Sequence, residues 1–166
     1  MKSFAHRGEL PAAAGDVIAV ITDAEYLRAR YESPELDRFE MTVDQDDPEG
    51  FAATVSRTAR PRGLPAFANR LLGERATLIQ TTRWGRRGPL FRGEFRLRIE
   101  GLPGQVFARL GLEDAAAGTA IMQVDGQVEA PVPLLGRRIE SLIAERAQGT
   151  FAASLAAIRT QLEESS

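Results

Sequence analysis

Apolar and charged residues alternate along Phe91-Arg92-Gly93-Glu94-Phe95-Arg96-Leu97-Arg98-Ile99, where odd positions are apolar or glycine and every even position is charged. A strand of that kind has one buried and one wet face, which suits an antiparallel sheet better than a parallel one. Residues 106–112 continue the pattern after the turn Gly101-Leu102-Pro103-Gly104, and residues 119–129 repeat it, with Met122, Val124 and Val128 opposed by Gln123, Asp125, Gln127 and Glu129. Further strands are predicted at 3–10, 36–43, 51–58 and 75–84, about seven in all and joined mostly by short turns. Two short helices follow the first strand. Pro11 opens one, with Val17, Ile18, Val20 and Ile21 on its apolar side, and Thr22-Asp23 caps the next. From 133 to 163, apolar residues at Leu135, Ile139, Leu142, Ile143, Ala147, Phe151, Leu155, Ile158 and Leu162 recur in steps of three and four, the stripe of a long amphipathic helix. Such a helix is about 45 Å long, enough to cross the whole sheet. Gly149 in its middle implies close packing on a strand, a mild kink or a hinge.

Composition narrows the picture. With 166 residues, 43% hydrophobic and 27% charged, the chain suits one globular domain covering 1–166. The absence of cysteine removes disulfides, thiol nucleophiles and thiolate metal sites. The N-terminus runs into a strand without an apolar signal core, and no stretch approaches a membrane span, so a soluble cytoplasmic protein is expected. The net charge of -2 hides an asymmetry: residues 1–56 hold 5 basic and 12 acidic side chains, whereas residues 57–98 hold 11 arginines and only Glu74 and Glu94. Either these segments neutralise each other in the fold or the arginines form a basic face for an anionic partner. Nucleic-acid binding is not expected, because no aromatic-rich strand accompanies the arginines.

Catalytic signals are sparse. His6 is the sole histidine and reads as an ordinary strand residue. There is no triad, phosphate loop or dinucleotide fingerprint, and no cofactor or metal is expected. The acidic run from Asp44 to Gly50 lacks calcium-loop spacing and reads as a solvated hairpin turn. In the fourth strand Gln80, Thr82 and Trp84 share one face while Ile79 and Thr81 share the other; parity alone does not say which faces inward.

The order strand, two helices, six-strand meander and long helix resembles the helix-grip domains of the START-like superfamily, which joins lipid-transfer domains with polyketide cyclase/dehydratase-type proteins. Three segments carry the resemblance: Pro11-Ala12-Ala13-Ala14-Gly15-Asp16-Val17 with Thr22-Asp23-Ala24-Glu25-Tyr26-Leu27 after the first strand, the junction from Val128 to Glu140, and the strand end Gln80-Thr81-Thr82-Arg83-Trp84, shared with an uncharacterised actinobacterial family of the group. The resemblance implies an α+β helix-grip fold: a curved antiparallel sheet of about seven strands wrapped around the C-terminal helix, with a cavity between them for an apolar or amphipathic small molecule. The expected lining is Gln80, Trp84, Phe95, Leu97, Ala108, Leu110, Met122, Val124, Ile139, Leu142, Ile143 and Phe151, with the small residues Ala144, Ala147, Ala152 and Ala153 leaving room beneath the helix. Leu64, Phe67, Leu71 and Leu72 share one side of a short helix closed by Gly73, an apolar lid whose neighbours Arg60, Arg62 and Arg70 suit an anionic headgroup at most peripherally at a membrane. The expected partner is therefore a small hydrophobic, lipid-like molecule, bound or carried without catalysis. The alternatives are a polyketide cyclase/dehydratase-like enzyme and a protein-interaction domain using the groove or the arginine-rich face.

Overall fold

The computed structural model describes residues 1–45 and 50–165. The expected hairpin turn of the acidic run falls largely on 46–49, outside the described residues. Strands β1 (Lys2–Leu10), β2 (Arg38–Asp44), β3 (Phe51–Ala59), β4 (Ala76–Arg87), β5 (Leu90–Ile99), β6 (Gln105–Asp114) and β7 (Ala120–Glu129) form one antiparallel sheet in the order β1-β7-β6-β5-β4-β3-β2. Helices α1 (Ala14–Ile21) and α2 (Ala24–Tyr31) connect its two edge strands, α3 (Ala66–Leu72) links β3 to β4, and α4 (Gly136–Glu164) ends the chain. This is the helix-grip arrangement.

Local chemistry sets the helix starts. Asp23 caps α2 by accepting the Tyr26 backbone N–H at 2.9 Å. No side chain of its own caps α1; instead Asp114, at the end of β6, accepts the Ala14 N–H at 2.7 Å and so seats the helix on the sheet. The last helix starts at Gly136, three residues later than the proline pattern predicts. The chain turns first, with the Val132 N–H donating to the Ala130 carbonyl and the Gly136 N–H to the Val132 carbonyl, and the fully exposed Leu134 takes a left-handed φ of 68°.

Glu140, in the second turn of α4, fastens this corner. Although only 7% exposed, it accepts hydrogen bonds from the Met1 ammonium (2.8 Å) and the Ala130 backbone N–H (3.0 Å), joining the beginning of β1, the exit of β7 and α4. The hydrogen bond from the amino terminus, then that from Ala130, holds its carboxyl below its ordinary value of 4.5.

Rather than crossing the whole sheet, α4 packs chiefly on β1 and β7 and touches α1. It is fixed there by Leu155, which occupies the space over Gly8: a Cβ at Gly8 would lie 2.7 Å from the Leu155 Cδ1. Arg159 adds hydrogen bonds from Nε (3.0 Å) and Nη2 (2.7 Å) to the Glu9 carbonyl. The β2–β4 side of the inner face is therefore left to other elements. Gly149 serves none of the expected packing roles, since nothing lies within 4 Å of where its Cβ would be and the helix runs through it unbroken.

On the outer face, strand register lines up Arg83, Glu94, Arg109 and Asp125 across β4 to β7 in alternating sign, so these two arginines sit beside carboxylates.

Two consequences can be measured. A carboxyl with a depressed folded value contributes stability that is fully present above its unfolded value and is lost as pH falls through the folded one. Glu140→Gln is therefore expected to lower the urea midpoint at pH 7 and to flatten the wild-type decline below about pH 4.5; an unchanged pH profile would contradict the role given to this carboxylate. Gly149→Ala is expected to raise stability by about 1 kcal/mol, and destabilisation in the same titration would show that the helix needs the glycine.

Candidate functional site

Alternate residues of each strand meet on the inner face. Register brings Phe51, Trp84, Gly93, Leu110 and Val124 into one row, Ala53, Thr82, Phe95 and Ala108 into the next, and Val55, Gln80, Leu97, Val106 and Val128 into a third. The parity left open by the sequence is thereby fixed: Gln80, Thr82 and Trp84 point inward. Trp84 lies flat across the bare backbone of Gly93, where a Cβ would approach its ring to 2.9 Å.

Between this face, the C-terminal half of α4 and helix α2 is a cavity of about 120 Å³. Its floor is Phe51, Ala53, Val55, Gln80, Thr82, Trp84, Phe95, Leu110, Met122 and Val124. From α4 come Thr150, Phe151, Ser154, Leu155 and Ile158, and from the first two helices Ile21, Tyr26, Leu27, Arg30 and Tyr31. At one side the Phe151 ring meets Phe95 edge-on at 5.1 Å and stacks on Phe4 at 6.0 Å, contacts worth about 0.5–1.5 kcal/mol each beyond their burial. An apolar cavity of about 150 Å³ holds benzene, so this one suits a single ring or a short chain. A long lipid chain exceeds it.

The polar wall is concentrated at α2. The Gln80 Oε1 accepts from Arg57 Nη2 at 3.0 Å, its Nε2 donates to the Tyr31 hydroxyl at 3.0 Å, and Arg30 Nη2 reaches Ser154 Oγ at 3.4 Å. Burial pushes the Tyr26 phenol up, against a smaller opposing effect of Arg30. Burial likewise pushes the Arg57 guanidinium down. Among the described residues, neither a carboxylate nor an imidazole lies on the wall. Among the described residues no group of three His, Cys, Asp or Glu side chains could hold a metal ion.

Of the residues singled out from sequence, Gln80, Trp84, Phe95, Leu110, Met122, Val124 and Phe151 stand on the cavity wall. Leu97 shares the inner face but lies beyond the wall, and Ala108 is fully buried beneath it. Ile139, Leu142 and Ile143 are half-buried on the N-terminal half of α4, away from the cavity, because that half extends past it. The expected opening beneath small helix residues is also displaced, as Ala152 and Ala153 face solvent. Leu64, Phe67 and Leu71 do not reach the cavity: Phe67 lies under Arg138 of α4 at 4.2 Å, and Arg146 donates to the Gly63 carbonyl. His6 is half-buried on β1 and off the wall.

Sequence reasoning passed over Tyr26, Arg30, Tyr31 and Arg57. A signal for Arg57 was present, since it continues the inward parity of Phe51, Ala53 and Val55 with a charge. For α2 there was none, because its sequence does not say that it roofs the sheet.

A second recess, an open trough of about 1140 Å³, lies on the outer face among Arg83, Arg92, Arg96, Arg109, Glu94 and Asp125. Its lining is largely charged and solvated, a poor environment for an apolar molecule.

A seven-stranded antiparallel sheet gripped by a long C-terminal helix, with an inner cavity, is the START-like helix-grip fold. Residues 5–162 match the family described as protein of unknown function DUF2505, and the chain belongs to that family. Among solved structures it is similar to a START superfamily protein from Mycobacterium smegmatis, at 14% identity and a TM-score of 0.61, with 99% of each chain covered. Norcoclaurine synthase from Thalictrum flavum matches at 16% identity and a TM-score of 0.63, covering 98% of this chain and 87% of that one. A conserved protein from Geobacillus kaustophilus matches at 13% identity and a TM-score of 0.60, covering 99% and 97%. At such identities these likenesses concern the fold alone. A comparison with curated proteins finds no match. Among the described residues, no helix is long and apolar enough to cross a membrane.

Proposed function

We propose that this protein binds and carries a small, mainly apolar molecule in the cavity beneath α2 and α4. The reading is carried by one observation: the space is walled by Phe51, Ala53, Val55, Phe95, Leu110, Met122 and Val124, with its charged and phenolic groups, Arg30, Tyr26 and Tyr31, all on the α2 side. An apolar enclosure rejects water and rewards any apolar occupant with the free energy of desolvation, about 25 cal/mol per Å² removed from water. Polar groups at one place then orient that occupant. The size supports a one-ring or short-chain molecule. Norcoclaurine synthase, one of the fold relatives, is known in complex with dopamine and hydroxybenzaldehyde, which are molecules of this scale. A carrying role is favoured over proton-transfer chemistry because the described residues of the wall offer no carboxylate or imidazole as a base.

Filling the cavity tests the proposal. Ala53 is 5% exposed and stands on the floor, and Ala53→Leu places three carbon atoms in the space. Neutral probes such as toluene and indole, followed by ligand-observed NMR, are expected to bind the wild type and to lose roughly tenfold in affinity in the variant, with the thermal midpoint unchanged or raised. Undiminished binding by a folded variant would place the probes elsewhere and contradict the proposal.

A further inference from the structure

We propose that the molecule carried in the cavity has an anionic head, a carboxylate or a similar small oxyanion, which docks on Arg30, Tyr31 and Gln80 while its apolar body lies over the sheet. This rests on the reading of the cavity as a binding site and adds the chemistry of what it selects.

The Tyr31 ring is shared by two cations: the Arg57 guanidinium carbon lies 5.0 Å from its centroid and that of Arg30 lies 5.7 Å from it. Among the described residues neither arginine is paired with a carboxylate. The Nε atoms of both are buried without a hydrogen-bond partner. Two half-buried positive charges with unmet donors beside an apolar wall cost free energy, and stacking on one tyrosine offsets part of that cost. An anion in the adjoining space offsets the rest.

The hydrogen-bond directions favour the same occupant. Gln80 spends its carbonyl oxygen on Arg57 and one amide hydrogen on the Tyr31 oxygen. The tyrosine hydroxyl hydrogen and the second amide hydrogen of Gln80 are thereby left to donate. Arg30, whose one hydrogen bond is the long one to Ser154, adds further donors directly on the wall. This pole offers donors and positive charge, the complement of a group that only accepts. Arg57 does not itself stand on the wall. It acts as a positioning residue, aiming the Gln80 amide and adding the second charge behind it. A neutral alcohol or amide could take up the donors but would leave both charges uncompensated.

The test compares isosteric acids and amides: phenylacetate with phenylacetamide and octanoate with octanamide, with acetate alone as a headgroup without a body, each titrated into the intact protein by calorimetry or ligand-observed NMR. The wild type is expected to bind the acids at least about tenfold more tightly than the amides, and acetate far more weakly than phenylacetate. Arg30→Gln is expected to abolish the acid preference, and Arg57→Met to reduce it, each by lowering acid affinity more than amide affinity. Equal affinity for acid and amide overturns the anionic head while leaving the carrier reading standing. Acetate binding as tightly as phenylacetate overturns the amphipathic occupant. Failure of every probe to bind overturns both readings. Should either variant fail to fold, the acid-to-amide ratio of the wild type decides the matter by itself.

Discussion

Where α4 meets β1, the Leu155 side chain sits where a Cβ on residue 8 would lie, so any residue but glycine there would oblige it to shift. Leu155 settles over Gly8, and Arg159 binds the next carbonyl along the strand. That contact, with Glu140 anchoring the other end of the helix to Met1 and Ala130, fixes the helix along the β1–β7 edge. A helix held at one edge cannot also fill the hollow of a twisted seven-stranded sheet. The other half must be roofed by something else. It is roofed by α2, whose own hydrogen-bonded cap at Asp23 places Tyr26, Leu27, Arg30 and Tyr31 opposite β3 and β4. The cavity is what remains between two roofs that do not meet.

The polarity of that cavity has the same origin. The apolar stripe of the long amphipathic helix brings Phe151, Leu155 and Ile158 to one side; a short, charged helix brings arginine and tyrosines to the other. Because β3 also turns Arg57 inward, the α2 side gathers two guanidiniums that are paired with no carboxylate among the described residues. Gln80, buried at 5% exposure between them, is satisfied on both ends of its amide. A buried polar network of this kind is stable only when its partners are complete, and the two orphaned Nε atoms show where it is not.

The architecture was legible because its signals are local and periodic. Period-two alternation in β5, β6 and β7 and the three-and-four stripe of α4 are each written within a single element. Their boundaries shifted by only a few residues, the largest shift coming at Pro133, where Leu134 adopts a left-handed turn instead of starting the helix. The site was legible only on the sheet. Strand parity places Gln80, Trp84, Phe95, Leu110, Met122 and Val124 together once register is known, but no local pattern tells how far along α4 the cavity lies. Ile139, Leu142 and Ile143 carry the same stripe as Phe151 and face a different neighbour. Arg30 and Arg57, 27 positions apart by their numbering, become one feature only through the docking of α2 over β3, a tertiary event that propensity does not encode.

Whether the space beneath the two helices is open is settled most directly by pressurising a crystal of the protein with xenon, which enters apolar cavities of this size and is located by its anomalous scattering. Xenon bound among Val55, Phe95, Leu110, Val124 and Phe151 is the expected result. A crystal in which those side chains meet one another and exclude the gas would contradict the account.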